Sequence, residues 1–422
     1  MSTTEAPQPA QGAPAPTERS EQADSRWTKA FREVVSGSWG VSIGAVILAL
    51  LAGSIMIIAT DESVRSASSY FFSRPGDMLD AAWAAIRDAY LALFRGGVWN
   101  YKADNLTDAI KPLTVTLKYA TPLIGAGLGL AVGFRAGLFN IGGQGQMILA
   151  AMGAGWIGFK LDLPVGVHLV VAVVVGLAMG ALWAGIAGAL KAFTGAHEVI
   201  TTIMLNHTAY YLLFFLLATP GLLQAPGSSN PKTPAMKETA VMPVLFQGGF
   251  PIHLGFVLAL VAVAVTWWIL ERSRIGFTFK AVGENPSAAR VAGIDVPRTT
   301  LYVMLVSGAL IGLAGATQVL GTSVTGFSTD VDAGIGFDAI TVALLGRSSP
   351  LGVLGAGILF GAFKAGGATM QAAETIPIEI VTVIQSLIVL FIAAPPLVRA
   401  IFRLPAPGSA KSSRRARKEV AA

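Results

Sequence analysis

The amino-acid sequence predicts an all-α polytopic membrane protein, because its composition is apolar and it contains several long uncharged segments. Charged residues make up 13% of the 422 residues and hydrophobic residues 53%, whereas soluble globular proteins carry roughly 25% charged residues. Residues 41–60 and 165–190 contain no charged side chain. About 20 such residues in a helix cross the ~30 Å hydrocarbon core of a bilayer. Repeated segments of this length are not expected of core helices in a soluble protein.

The hydrophobicity pattern predicts ten membrane-spanning helices. They occupy residues 39–60, 112–133, 141–159, 164–190, 198–218, 251–270, 300–321, 333–346, 351–372 and 377–396. With both termini placed in the cytoplasm, the inner segments hold about twice as many Lys and Arg residues as the outer segments, as the positive-inside rule requires. Ten spans divide into two halves of five, and halves with an odd number of spans have opposite orientations in the membrane. The sequence therefore predicts inverted five-helix halves.

The chain divides into a transmembrane domain, residues 39–396, and two tails. The segments outside the spans are predicted as follows: 1–38, a disordered cytoplasmic tail rich in Pro, Ala, Gln and Ser; 61–111, an external amphipathic segment; 219–250, an external loop; 271–300, the largest cytoplasmic loop; and 397–422, a basic cytoplasmic tail. Each external segment has two open interpretations, a contact for a partner or substrate and a packed cap. Small residues at Gly308–Gly312 and Gly357–Gly361 predict closely packed helices.

The sequence excludes several kinds of chemistry. It contains no cysteine, so disulfide bonds and thiolate metal sites are excluded. It has no G-x-x-x-x-G-K-[ST] phosphate-binding loop, and its four histidines are scattered along the chain. We therefore expect no catalytic residues, no metal, no cofactor and no nucleic-acid partner, and we expect the protein not to be an enzyme.

The stretch "FKAVGENPSAARVAGIDV", residues 279–296, predicts a short capped helix within the largest cytoplasmic loop. Asn285 is a favourable N-cap, and Pro286 fits the first helical position, where its missing N–H costs little. Gly293 is placed to end the helix in a left-handed turn. Two turns over residues 286–292 would present a smooth face of Ala288, Ala289 and Ala292.

Within that stretch, "GENPSAARVAGIDV" resembles the coupling-loop motif of ATP-binding cassette (ABC) importer permeases that handle branched-chain amino acids, simple sugars and nucleosides. In that family the short helix docks on the ATP-binding subunit. The residues carried over to this role are Gly283, Glu284, Asn285, Pro286, Ala288, Ala289, Arg290 and Gly293. A structured loop without a partner is the alternative interpretation.

The resemblance extends over residues 112–396 and is greatest to the nucleoside-uptake branch of the family. It is carried by "GLFNIGGQGQMILAAMGAG" (137–155), "AHEVITTIMLNHTAYYLL" (196–213) and "AGIGFDAITVALLG" (333–346). It implies a type II-like permease fold in a bacterial cytoplasmic membrane. The implied partners are an ATP-binding subunit that hydrolyses ATP, a second homologous or identical permease chain, an external solute-binding lipoprotein and the lipid bilayer.

Two spans, 141–159 and 333–346, begin with glycines at corresponding places in the two halves, and paired broken helices of this kind indicate a transport path. Polar side chains at membrane depth must face protein or a wet cavity. The candidates for lining the path are Asn140, Gln144, Gln146, Asn206, His207 and Asp338. Gln144 stands where an acidic residue often precedes the Gly-Gln pair in the nucleoside branch. Asn206 and His207 have helix–helix packing as an equally weighted alternative.

The sequence therefore favours the permease subunit of an ABC importer, with nucleosides as the expected solutes. Simple sugars and branched-chain amino acids are the alternatives within the family. A stand-alone secondary transporter or channel is a second class of protein, but ion coupling depends on intramembrane carboxylates. The three carboxylates near the spans, Glu198, Asp338 and Glu379, lie close to span ends.

Overall fold

A computed structural model of the protein describes residues 38–228 and 230–402, which are helical with irregular connections. The helices in this part of the chain are α1 (Ser38–Thr60), α2 (Glu62–Ser68), α3 (Pro75–Gly97), α4 (Leu106–Arg135), α5 (Gly143–Lys160), α6 (Val167–Ala189), α7 (Glu198–Ala218), α8 (Leu254–Arg272), α9 (Arg274–Glu284), α10 (Pro286–Val291), α11 (Val296–Thr317), α12 (Ile335–Leu345), α13 (Pro350–Glu374), α14 (Glu379–Ala393) and α15 (Pro395–Phe402). The fold is therefore all-α, as the sequence predicts.

Seven of the described helices are long and apolar enough to cross a membrane, and α14 followed by α15 would make an eighth. The seven are α1, α4, α6, α7, α8, α11 and α13. The other predicted spans correspond to α5, α12 and α14, which have 18, 11 and 15 residues. An 11-residue helix is about 16 Å long, roughly half the apolar thickness of a bilayer.

α4 and α11 form the centre of the bundle. In the most apolar stretch of each of these two helices, 78% of the residues are buried, against 22–33% in α6, α7 and α8. The two helices pack against each other at Gly125 and Gly129, where an added Cβ would meet the backbone of Leu310 and Ser307. Since glycine lacks a side chain, the backbones approach closely, and dispersion contacts replace the missing hydrophobic driving force within a membrane.

Helix contacts within residues 45–394 occur in equivalent pairs, as if two sets of four helices were related by a two-fold axis. When α4, α5, α6 and α7 are matched with α11, α12, α13 and α14, the α4–α13 contact corresponds to α11–α6, and α5–α11 corresponds to α12–α4. The α5–α6 and α5–α7 contacts likewise correspond to α12–α13 and α12–α14. This is the pattern expected from the inverted halves that the sequence predicts.

The two predicted small-residue faces lie at the corresponding helix crossings. A Cβ added at Gly312 on α11 would lie 2.6 Å from the Gly176 carbonyl oxygen of α6. One added at Gly361 on α13 would lie 2.6 Å from the Thr116 carbonyl oxygen of α4. Side chains at these positions would therefore force the helices apart, so the prediction of close packing is confirmed.

The segments predicted as external are partly packed against the bundle. α3 contacts α13, where Gly97 lies against Ala362, and the Thr116 hydroxyl of α4 donates to the Gly97 carbonyl at 2.5 Å. In the segment between α7 and α8, the buried side chains of Met236, Ala240 and Met242 join the core formed with α5. The predicted tails lie outside the described residues, apart from Ser38 in α1 and residues 397–402 in α15.

Candidate functional site

The amino-terminal ends of the two short helices α5 and α12 meet inside the bundle. A Cβ added at Gly143, the first residue of α5, would lie 2.8 Å from the Gly336 carbonyl oxygen of α12, and one added at Gly336 would overlap the backbone of Gln144. We call this contact the junction, defined by Gly143, Gln144 and Gly336. The positive ends of both helix dipoles point towards it.

The chain reaches the junction from opposite ends of the bundle. At one end, the Arg135 guanidinium at the end of α4 donates to the Ser348 carbonyl just beyond α12, over 3.1 Å. At the other end, the Met236 N–H donates to the Val324 carbonyl over 2.8 Å, and Val324 precedes α12. Both helices therefore start between the two ends of the bundle, as their glycine-rich beginnings predict, and α12, with 11 residues, covers about half of a span.

Buried amides hold the start of α5. The side-chain oxygen of Asn140, Oδ1, accepts from the Gly142 N–H at 2.8 Å and from the Gln146 side-chain amide at 3.1 Å. The side-chain nitrogen of Asn140 donates to the Ser307 hydroxyl at 3.1 Å. All three side chains are buried. The first N–H groups of any helix lack intrahelical partners, and unpaired groups are costly at membrane depth. This network supplies the partners that the broken span lacks.

Asn206 on α7 makes the second clamp on the same turn. Its side-chain oxygen accepts from the Gly145 N–H at 2.8 Å, and its side-chain nitrogen donates to the Ile141 backbone carbonyl at 2.9 Å. The side chain is 4% exposed. Its neighbour His207 is exposed on α7, and no hydrogen bond in the described part of the chain joins it to the junction. The structure therefore brings Asn140, Gln146 and Asn206 together and leaves His207 apart.

Gln144 and Asp338 are the two candidate side chains at the junction that are partly exposed. The Gln144 amide lies 3.5 Å from a carboxylate oxygen of Asp332. Asp338, in the first turn of α12, forms an ion pair of 2.8 Å with Lys364 of α13, and the Lys364 ammonium also donates to the Ala333 carbonyl at 3.2 Å. Two of the charged groups around the start of α12, Asp338 and Lys364, are therefore paired with each other.

Sequence reasoning missed three residues of this region: Asp332, Ser307 and Lys364. Asp332 is buried, although it falls one residue before the predicted span 333–346 and so counted as part of an outer loop. Lys364 lies inside the predicted span 351–372, and an intramembrane lysine calls for a carboxylate partner. That rule, applied to the sequence, would have paired Lys364 with a nearby acidic residue.

The predicted caps of the short helix within residues 279–296 are confirmed in α10. The Asn285 side-chain oxygen accepts from the Ser287 and Ala288 N–H groups, each at 3.0 Å. Gly293 has φ of +83°, and the Ile294 N–H donates to the Ala289 carbonyl at 3.0 Å. The helix ends at Val291 with Ala292 as its C-cap, one residue earlier than predicted.

The exposed face of α10 differs from the predicted one. Ala289 is 4% exposed and turns towards its own chain, whereas Val291 is 91% exposed. Ala288 and Ala292 are exposed as well. Residues three and four apart share a helix face, so Ala288, Val291 and Ala292 form the exposed apolar face, and Ala289 belongs to the buried one. The inclusion of Ala289 in the exposed face is therefore wrong.

The end of α9, within the predicted coupling loop, is in backbone contact with the turn that leads to the junction. A Cβ added at Gly283, at the end of α9, would lie 2.6 Å from the Arg135 carbonyl oxygen, and one added at Gly137 would lie 3.1 Å from the Gly283 carbonyl oxygen. Gly137 has φ of +72°, which a residue with a Cβ rarely adopts. Arg135 is also paired with Glu271 at 2.6 Å. Three residues beyond Gly137 the chain reaches Asn140 and the amide network.

Comparison with known proteins agrees with this architecture. The family described as the branched-chain amino acid transport system permease component matches residues 113–393. The chain is 34% identical to the guanosine ABC transporter permease protein NupP of Bacillus subtilis, over 86% of this chain and 94% of that protein. It is 32% identical to the nucleoside ABC transporter permease protein NupB of Lactococcus lactis, over 78% and 92% of the two chains.

A third relative carries a different solute in its name. The chain is 35% identical to the glucose ABC transporter permease protein TsgB13 of Haloferax volcanii, over 66% of this chain and 75% of that protein. No solved structure gives a significant match to the chain.

An all-helical bundle of long apolar helices, with two helices that meet inside it at their amino-terminal ends, is the architecture of a polytopic membrane protein. The chain belongs to the family of branched-chain amino acid transport system permease components, and it is a permease subunit of an ABC transporter. The family resemblance seen in the sequence motifs is confirmed. Subunits of this class are not enzymes, since ATP hydrolysis takes place on a separate subunit.

Proposed function

We propose that this chain is the membrane permease of an ABC importer that takes up nucleosides. The coupling part of this proposal rests on a series of contacts that leads from α10 through Gly283 to Gly137 and on to the junction. A partner that displaces the exposed face of α10 would displace the turn that holds the start of α5. Two relatives that are named for nucleoside or guanosine transport match over more than nine-tenths of their own length and favour nucleosides as the solutes.

The proposed assembly contains an ATP-binding subunit on the cytoplasmic side, a second homologous or identical permease chain and an external solute-binding lipoprotein. Both termini and the α9–α10 loop would lie in the cytoplasm of a bacterium, because that orientation places the excess of Lys and Arg inside. ATP binding would move α10, and the two broken helices would part and rejoin as the bundle alternates between its two openings. Gln144 and Asp338 are the proposed contacts along the path, and Asn140, Gln146 and Asn206 support it.

Uptake by whole cells tests the choice of solute. We expect a strain from which the gene for this chain is deleted to lose uptake of radiolabelled guanosine and adenosine and to regain it on complementation. Uptake of labelled glucose and leucine should be unchanged in both strains. Loss of glucose uptake with unchanged nucleoside uptake would contradict the nucleoside proposal and favour the sugar alternative that the Haloferax relative represents.

Reporter fusions test the orientation. We expect an alkaline phosphatase fused after residue 100 or 235 to be active, because both positions are proposed to be external. Fusions after residues 285 and 410 should be inactive, and a cytoplasmic reporter fused at the same two positions should be active. An external position for residue 285 would separate α10 from any cytoplasmic ATP-binding subunit and would contradict the coupling proposal.

Purified protein in liposomes separates the importer from a stand-alone transporter. We expect no uphill nucleoside uptake when this chain alone is reconstituted and an ion gradient is imposed, because the coupling energy is proposed to come from ATP hydrolysis on a separate subunit. Uphill uptake under those conditions would contradict the importer proposal.

A further inference from the structure

The carboxylate of Asp332 is directed at the junction and is incompletely paired. The residue is 5% exposed. One carboxylate oxygen, Oδ1, lies 3.5 Å from the Gln144 amide, at the limit of a hydrogen bond. The other oxygen, Oδ2, is buried and has no hydrogen-bond partner among the described residues. A buried acceptor without a partner carries a free-energy cost, and the cost is larger when the group is charged.

The surroundings of Asp332 partly offset that cost without supplying a partner for Oδ2. The starts of α5 and α12 direct positive dipole ends to this point, and the Lys364 ammonium binds the carbonyl of the next residue, Ala333, at 3.2 Å. Ala333 and Gly334 have φ of +46° and +74°, a tight turn that places Asp332 beside α5 before α12 begins. These positive groups offset part of the desolvation cost of the carboxylate, while one of its oxygens remains available.

We propose that Asp332 and Gln144 together form the solute-recognition point of the path. When the two helix starts part, Asp332 Oδ2 accepts a hydrogen bond from an N–H or O–H donor of the solute, and the Gln144 amide donates to a neighbouring acceptor. The solute class is therefore a neutral polar molecule that presents a donor beside an acceptor. This inference rests on the proposed nucleoside function and extends it to two named side chains.

A nucleoside can supply this pattern in two places. On the base, the lactam edge of guanine places N1–H beside the O6 acceptor. On the ribose, the 2′ and 3′ hydroxyls are each a donor and an acceptor, and carboxylates bind ribose hydroxyls in other proteins. The chemistry at Asp332 is the same in both cases, so analogues that block one site at a time distinguish them. 1-Methylguanosine lacks the N1 donor, and 2′,3′-dideoxyguanosine lacks both hydroxyls.

The test uses the complete transporter in proteoliposomes with ATP, at solute concentrations that saturate the binding protein. Asp332→Asn keeps the shape of the side chain and removes the charge and one acceptor. Asp330→Asn, two residues away and exposed, is the matched control. We expect the maximal rate of guanosine transport to fall at least tenfold in Asp332→Asn and to be unchanged in Asp330→Asn. The melting temperature of Asp332→Asn should be unchanged or raised, because a buried unpaired charge is removed.

The analogues assign the recognised group. In the wild-type transporter, one of the two analogues should be transported at least tenfold more slowly than guanosine. The Asp332→Asn variant should transport that analogue at the same rate as the wild-type transporter does, because the recognised group is already missing. Wild-type guanosine transport by Asp332→Asn would overturn the inference, and so would a lowered melting temperature with an unchanged rate per folded transporter. A wild-type transporter that carries glucose and no nucleoside would instead overturn the proposed function, so the two failures are distinguishable.

Discussion

A Val291→Glu variant is expected to lose its ATP-binding subunit during purification while it still inserts into the membrane. Val291 is 91% exposed on α10, and docking would bury it with Ala288 and Ala292. An uncompensated carboxylate in a buried apolar contact costs several kcal/mol. A loss of about 3 kcal/mol weakens binding by roughly a hundredfold. The measurement is co-purification of the ATP-binding subunit, together with solute-stimulated ATP hydrolysis in liposomes.

The same exchange at Val244 provides the control. Val244 is 59% exposed in the segment between α7 and α8, which is proposed to lie outside the cell, so Val244→Glu should retain the ATP-binding subunit and the stimulated hydrolysis. No apolar span is altered in either variant, and both should reach the membrane in wild-type amounts. Retention of the ATP-binding subunit by Val291→Glu would show that this face of α10 is not the docking surface.

An Asn206→Leu variant is expected to be less stable and to transport slowly. Leucine has the same branching at Cγ but cannot bond to the Gly145 N–H or the Ile141 carbonyl, which Asn206 binds at 2.8 and 2.9 Å. Each buried group left without a partner costs about 1–3 kcal/mol. We therefore expect a destabilisation of at least about 2 kcal/mol, measured as a lower melting temperature in detergent, and a reduced transport rate because the start of α5 loses its clamp.

The adjacent His207→Leu variant is the matched control for that experiment. His207 is exposed on the same helix, so its replacement should leave both the melting temperature and the transport rate unchanged. A stable Asn206→Leu protein with normal transport would contradict the supporting role assigned to Asn206. A stable His207→Leu protein with reduced transport would place His207 on the path after all.

The two ends of α10 could be predicted from the sequence, whereas the directions of its side chains could not. Asn285, Pro286 and Gly293 specify the two ends of α10 through hydrogen bonds and backbone angles within eight residues, so their roles follow from the sequence. The orientation of Ala289 depends on how α10 lies against the rest of the chain. A short helix of small residues has no strong apolar stripe from which that orientation could be deduced.

The partners of the polar candidates could not be predicted because they are distant in the chain. Asn140 binds Ser307, 167 residues away, and Asn206 binds Gly145, 61 residues away. The glycines at 142, 143 and 145 predicted that a helix begins there, but only the packed bundle shows that α12 begins at the same point. α12 and α14, with 11 and 15 residues, are too short to cross a membrane as single helices, which the pattern of apolar segments did not reveal.

The way in which the starts of α5 and α12 meet would limit the free energy needed to open the proposed path. α12 has 11 residues, so about half the bilayer depth on its line is covered by non-helical chain between Ser323 and Gly334. At Gly143 and Gly336 the two helix starts touch through glycine backbone, and among the described residues the hydrogen bond that joins these starts is the 3.5 Å approach of Gln144 to Asp332. Separating the starts of α5 and α12 would therefore unwind neither helix and would break one weak hydrogen bond at the junction, so we expect the closed junction to be held mainly by backbone packing.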